Sequence, residues 1–528
     1  MKRLLSLVLL PVMLLSFAGC RSHPAEPVSE PSGEDSQTVN MEWYINFSWY
    51  NTVWGGNTVS DAITRKTGVN IRFRSPDGSE SVTLDALIAG DNLPDLVTLG
   101  WWEPQLNEIT DAGMAYALNE LADEYDPYFW QVAKPEILNW YTREDGNVYC
   151  YPNSAYAPSD YTEENHVASN QTFLVRKDIY EALGCPDMTT PEGFYNAVRS
   201  AAEQFPTVDG EPLIPVGAHE FTERGCDSFD IFLQNFLAIP NEKDGKRYDR
   251  YTDPEYKRWL LMFRQLGEDG LLRSDIFIDK RTQMEEKIAQ GRYFCMLYQY
   301  TDMAEQQRSL LSKTPERAYI AVDGPRNEAG DPHALPGTSI NGWTVTLISK
   351  NCADPEKAIK LMSFLMSEEG QKLIMLGVEG ENYTMQDGKA VLTEQTKALM
   401  ETDYPAYVRQ IGANDSYWML QDNLMQSKWK PEDTRELLQM EQWTYPYVVY
   451  TGQYDADFEL DSPADQAKKR IDAIHGQFLP RLLLASTEAE FETLWRQYTS
   501  QREAAGLDVM LEESTRQMLR AKEKLGLD

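Results

Sequence analysis

The chain has 528 residues, of which 42% are hydrophobic and 11% aromatic, enough to bury a large core and too many for a disordered or disulfide-stapled scaffold. Its 83 Asp and Glu outnumber 49 Lys and Arg, a formal charge of −34 that repels phosphate backbones and excludes general nucleic-acid binding. Thirteen Trp and twenty-eight Tyr exceed what a core readily absorbs, since many stand in polar, Gly- and Pro-punctuated stretches.

Lys2 and Arg3 precede an apolar run from Leu4 to Ala18, then Gly19 and Cys20. The run is too short to span a bilayer and has the layout of a secretory signal. Small residues before Cys20 resemble the bacterial lipobox, with Phe17 where that pattern prefers Leu, so residues 1–19 are expected to be removed and Cys20 lipidated. Residues 20–40 carry three prolines and no aromatic, which reads as a solvated tether reaching on the order of 25 Å. The expected place is the extracellular face of the membrane, anchored by lipid.

Beyond the tether, strand and helix signals alternate. Trp43 to Asn46 reads as a strand, an aromatic loop runs to Asn57, and residues 58–67 form a helix stopped by Gly68. Val69, Ile71 and Phe73 alternate as a strand; Leu84, Leu87 and Ile88 mark a helix stopped by Gly90; Leu96 to Leu99 is an apolar strand. This β-α-β-α-β order predicts a largely parallel sheet with ligand at the carboxyl ends of its strands. Residues 172–176, then a helix from Asp178 to Leu183 and one capped by Thr190-Pro191, open a second α/β region. Trp343 to Ser349 is a strand, Asp354 caps a helix with Ala358, Leu361, Met362 and Leu365 on one face, and Ser367 and Gly377 bracket the next. Thr487 and Glu490 suggest a capping box ahead of Phe491.

No G-x-S-x-G, phosphate-binding loop, G-x-G-x-x-G or H-E-x-x-H occurs, and neither C-x-x-C nor H-x-x-x-H suggests zinc. Beyond Cys20, five widely spaced cysteines leave at least one thiol free. Asp455, Asp457, Glu459 and Asp461 have the alternation of a calcium loop, but Leu460 replaces the required Gly and Gln466 the final Glu. No metal and no cofactor are expected.

The stretches ITRKTGVNIRF (63–73), LIAGDNLPDLVTLGWWEP (87–104), ALNELAD (117–123), DGNVYCYP (145–152), FLVRKDIYEALG (173–184) and TPEGFYNAV (190–198) resemble the extracellular solute-binding proteins of ABC sugar importers. Residues 348–390, from ISKNCADPEKAIKL to QDGKA, and AEFETLWRQYTSQREAAGL (489–507) are similar to their large oligosaccharide-binding lipoprotein branch. The resemblance implies an α/β type II periplasmic-binding-protein fold: lobe 1 from 41–152 plus 337–392, lobe 2 from 153–336 plus 393–528, and a multi-crossing hinge with a ligand cleft between. It further implies a monomer that is no enzyme and hands an oligosaccharide to an ABC permease. Some relatives carry a calcium loop where this chain has PTVDGEPLIPV, which lacks most of the ligands. A secreted glycosidase or lyase, or a receptor for peptides or another small solute, is the alternative.

A saccharide needs flat aromatic faces beside carboxylate and amide partners. In the loop after the first strand, Trp49, Tyr50 and Trp54 are candidates, each of which serves equally well as core. Trp101 and Trp102 match the place where related sugar binders put an aromatic, and Glu103 is a hydrogen-bonding candidate. Tyr298 and Tyr300 follow a strand after which relatives place a cleft aromatic; Asn153 and Trp343 either face the cleft or pack the hinge. Trp418, Trp443 and Tyr445 have no assignment. The acidic balance disfavours a highly anionic saccharide unless Arg143 or Arg176 is concentrated in the cleft.

Overall fold

The computed structural model describes residues 38–527; the leader, Cys20 and the tether up to residue 37 lie outside the described residues. Nine strands build the two main sheets: β1 (Val39–Ile45), β2 (Val69–Arg74), β3 (Leu96–Gly100), β4 (Cys150–Pro152), β5 (Gln171–Arg176), β6 (Ile214–Gly217), β7 (Tyr293–Gln299), β8 (Tyr319–Ala321) and β9 (Thr344–Ile348). β1 begins at Val39, where it pairs with Val69, so ordered structure starts inside the segment expected to be tether.

The first sheet has the order β2-β1-β3-β9-β4. β1 runs parallel to β2 and β3, as the β-α-β-α-β pattern predicts. The sheet is nevertheless mixed, because β9 lies antiparallel to both β3 and β4. β9 arrives from the other lobe rather than through a helical crossover, and only that crossover imposes parallel direction. Alternation along β1 sorts its side chains: Trp43 and Ile45 join one core with Ile63, Leu361 and Leu365, while Tyr44 joins the opposite one with Leu84, Leu99 and Val345.

The helices end where the local signals say. Asn57 accepts from Ser60 N–H ahead of helix Thr58–Thr67, and the Thr190 hydroxyl accepts from Gly193 N–H ahead of Pro191–Gln204. At helix Glu488–Ala504 the Thr487 hydroxyl caps Glu490 N–H, but the Glu490 carboxylate returns to Ser486 rather than to Thr487.

The second sheet has the order β8-β5-β7-β6, with β5 antiparallel to both neighbours. Its core gathers Phe173, Phe194, Ile214, Trp259 and Phe294 with Phe478, Leu482 and Phe491 from helices near the C-terminus. The chain therefore passes from the first sheet to the second between β4 and β5 and returns between β8 and β9. Tyr407, Ile411, Tyr417 and Trp418, expected in the second lobe, pack into the first core. The third passage falls after Leu420, since Leu437 and Met440 are back in the second core.

Asn153, immediately after β4, ties these passages together. Its Oδ1 accepts from Trp343 and Thr344 N–H, and its Nδ2 donates to the Trp418 carbonyl. Gly342 makes that approach possible: at φ 66 it sits where a Cβ would lie 2.0 Å from the Asn153 carbonyl oxygen. Among the described residues no helix is long and apolar enough to cross a membrane.

Candidate functional site

The loop after β1 divides its aromatics between surface and core. Trp49 is 52% exposed and stacks on Trp343, 37% exposed, with ring centroids 6.1 Å apart and planes 9° from parallel. Buried Trp418 backs both, 4.6 Å from Trp343 and 5.9 Å from Trp49, and Phe47 packs against all three. Two partly exposed indoles thus stand on a packed aromatic base at the end of the first sheet. Tyr50 and Trp54 do otherwise, which corrects their candidacy as platforms: both are buried. The Tyr50 hydroxyl donates to the Ser416 carbonyl, the Trp54 indole N–H donates to Thr64, and both rings pack on Phe73.

After β3, Trp102 is exposed and folds back over Gly100, where a Cβ would lie 2.6 Å from its ring. Trp101 stands perpendicular to it, 6.1 Å away. Glu103 turns back to the strand ends, accepting from Gly100 N–H at 2.7 Å and from the Asn46 amide. Asn46 in turn accepts from the Tyr44 hydroxyl. Burial pushes the Glu103 carboxyl up to about 7, against the pull of its two donors, so it is partly protonated at neutral pH.

Trp101 also borders a cavity of about 240 Å³. Trp140, Tyr141, Tyr149 and Arg143 line it from the first lobe, Asn341 from the second passage, and Asp455 and Asp457 from the loop before helix Pro463–Leu483. Asn341 locks the wall: its Oδ1 accepts from the Trp140 indole at 2.6 Å, its carbonyl accepts from the Tyr141 hydroxyl, and its amide donates to Asp455. Burial also holds the Asp455 carboxyl above its ordinary range. Because Asn341 and Trp343 share one turn, the cavity and the indole pair flank the same passage.

Asn153 is fully buried and spends its side chain on backbone groups of the hinge, so it offers nothing to a ligand. Tyr298 is likewise buried, its ring beside His219, because it still belongs to β7. Tyr300, one residue past that strand, is half-buried, and its N–H donates to the Asn170 carbonyl. Of the unassigned aromatics, Trp418 joins the indole pair, Trp443 packs on Phe236 in the second core, and Tyr445 stacks on His166. Arg176 is buried in an ion pair with Asp178.

In PTVDGEPLIPV, Asp209 pairs with Arg317, and no three His, Cys, Asp or Glu side chains converge among the described residues. The five described cysteines are unpaired, four of them buried and Cys185 exposed.

Residues 58–380 match the family of bacterial extracellular solute-binding proteins. The chain is 21% identical over 418 residues to the polygalacturonan/rhamnogalacturonan-binding protein YtcQ of Bacillus subtilis, covering 74% of this chain and 76% of that one. It is 24% identical over 351 residues to lipoprotein LipO of the same organism, covering 64% and 66%. Among solved structures, the S. pneumoniae ABC-transporter substrate-binding protein FusA with kestose superposes with a TM-score of 0.70 at 16% identity, over 92% of this chain and all of that one. The alginate-binding protein AlgQ2 without calcium does so with 0.70 at 17%, over the same shares. The fold is that of these binding proteins.

Proposed function

The chain belongs to the bacterial extracellular solute-binding protein family, and from that premise we propose that it captures an oligosaccharide between its lobes and presents it to the membrane subunits of an ABC importer. The observation that carries the reading is the Trp49–Trp343 pair, two parallel, partly exposed indoles at the hinge end of the first sheet. Such faces match the C–H surfaces of sugar rings, while Trp101, Trp102, Glu103 and the cavity beside them add further stacking and hydrogen-bonding groups. The sugar specificities in the names of YtcQ, FusA and AlgQ2 support the same ligand class.

The protein acts without turnover, as a monomer held at the outer face of the membrane by lipid on Cys20. Ligand favours the closed form by touching both lobes, because only differential affinity for that form shifts the hinge.

Titration calorimetry with a panel of oligosaccharides and peptides tests the ligand class. Saturable heats with one or more saccharides are expected, and heats from peptides alone would overturn the reading. Chromatography of the saccharides after prolonged incubation is expected to show no products; sustained cleavage would make the protein an enzyme. For the anchor, Cys20→Ser should move the protein from the membrane fraction to the medium.

A further inference from the structure

We infer that the cavity beside Trp101 receives an uncharged sugar ring and turns away uronates, an inference that rests on the oligosaccharide reading above. Its walls suit a neutral ring. Trp101 and Tyr141 supply aromatic surface, and the two aspartates supply acceptors. Both hydrogen bonds to Asp455, from Ser339 and Asn341 at 2.8 Å, land on Oδ2, and so does the bond from Asn107 to Asp457. The Oδ1 of each carboxylate is left to accept from a sugar hydroxyl.

A uronate brings a carboxylate instead, which on entering such a site must exchange its water for donors of comparable strength. The cations nearby are already engaged. Arg143, the one cation among the lining residues, donates to Asn107 at 3.0 Å and Thr110 at 2.7 Å and pairs with Asp111. Lys524 donates to the Trp140 carbonyl at 2.6 Å, and Arg247 lies over the Tyr454 ring and donates to the Asn241 carbonyl. Glu103, at the neighbouring strand ends, is held by neutral donors alone. A second carboxylate here meets Asp455 and Asp457, whose neighbouring cations, Arg247 and Arg143, already offset those two aspartates and, for Arg143, Asp111 as well. The discrimination is notable because two similar proteins are named for polygalacturonan and alginate.

The test compares, by calorimetry at pH 7.5, neutral oligosaccharides, oligogalacturonides, and the same oligogalacturonides after reduction of their carboxyls to primary alcohols. Neutral or reduced chains are expected to bind at least tenfold more tightly than the matched uronates. Uronates binding as tightly or more tightly would overturn the inference and leave the oligosaccharide reading standing; if no saccharide of any kind binds, that reading fails and this inference with it. Asp457→Asn, on an exposed loop position, and Asp455→Asn should each narrow the gap. If both keep the wild-type melting temperature and the full gap, the cavity is not the discriminator and the inference falls.

Discussion

Trp49 and Trp54 stand five positions apart in one loop, yet they answer to different forces. Trp54 donates to Thr64 and is closed in by Phe73 and Tyr417, so its area belongs to folding. Trp54→Ala should destabilise the protein by about 3–5 kcal/mol, measured by denaturant unfolding. Trp343→Ala and Trp49→Ala remove stacking faces instead. Each should weaken saccharide affinity about tenfold by calorimetry, the upper end of what one aromatic contact supplies, with a much smaller loss of stability. Equal affinity in both variants would place the ligand elsewhere. Glu103 gives a pH signature. Its carboxyl is raised in the folded protein to about 7 by burial, above the ordinary value of 4.5. The folded state therefore holds a proton that the unfolded chain releases between those values, and stability from this group is lost as pH rises from about 4.5 to 7. Glu103→Gln should flatten that part of the profile relative to wild type in melting temperature against pH; an unchanged slope would mean that the carboxyl titrates normally.

At the scale of elements, the three passages between lobes meet on one amide. Asn153 accepts from two backbone N–H groups of the β9 segment and donates to the Trp418 carbonyl. Truncation leaves those groups buried without partners, and an unsatisfied buried donor costs about 1–3 kcal/mol. Asn153→Ala should accordingly lower the unfolding free energy by that order in denaturant unfolding, and Asn153→Asp should lose no less, because it keeps the acceptor but buries a carboxylate oxygen against the Trp418 carbonyl. Helices such as 58–67, 191–204 and 355–366 were legible because their caps and periodicity are local: Asn57, Thr190 and Asp354 act within three residues. The direction of β9 and the lobe of residues 404–420 were not legible, since each depends on where the chain returns after a distant excursion. The site followed the same division. An aromatic loop after β1 was visible, but Tyr50 and Trp54 turn inward because of Ser416 and Tyr417, some 360 residues away, and Trp418 completes the indole base from equally far. Asp455 and Asp457 read only as an incomplete calcium-loop alternation because no local pattern announces that Asn107, Ser339 and Asn341 will meet them.

The whole molecule joins a strongly acidic exterior to two lobes that share their hinge with the candidate site. Net charge of this size keeps the head soluble and disfavours anionic partners at long range, but it does not choose among neutral ones. That choice belongs to groups flanking the passage at residues 341–343, where one turn carries Asn341 into the cavity wall and Trp343 into the indole pair. A ligand held there by one lobe alone would stabilise the protein without altering its shape. One held by both must draw them together, because its affinity is then greater for the closed arrangement than for the open one. The two cases separate experimentally. At ligand concentrations about 100 times the dissociation constant, either case adds roughly 2.7 kcal/mol to stability and raises the melting temperature. Only two-lobe binding also reduces the radius of gyration in small-angle X-ray scattering. We expect both changes with a cognate oligosaccharide, and in Trp343→Ala a parallel loss of the two at a fixed ligand concentration. A melting-temperature rise with an unchanged scattering profile would confine the ligand to the first lobe and remove hinge closure from the mechanism.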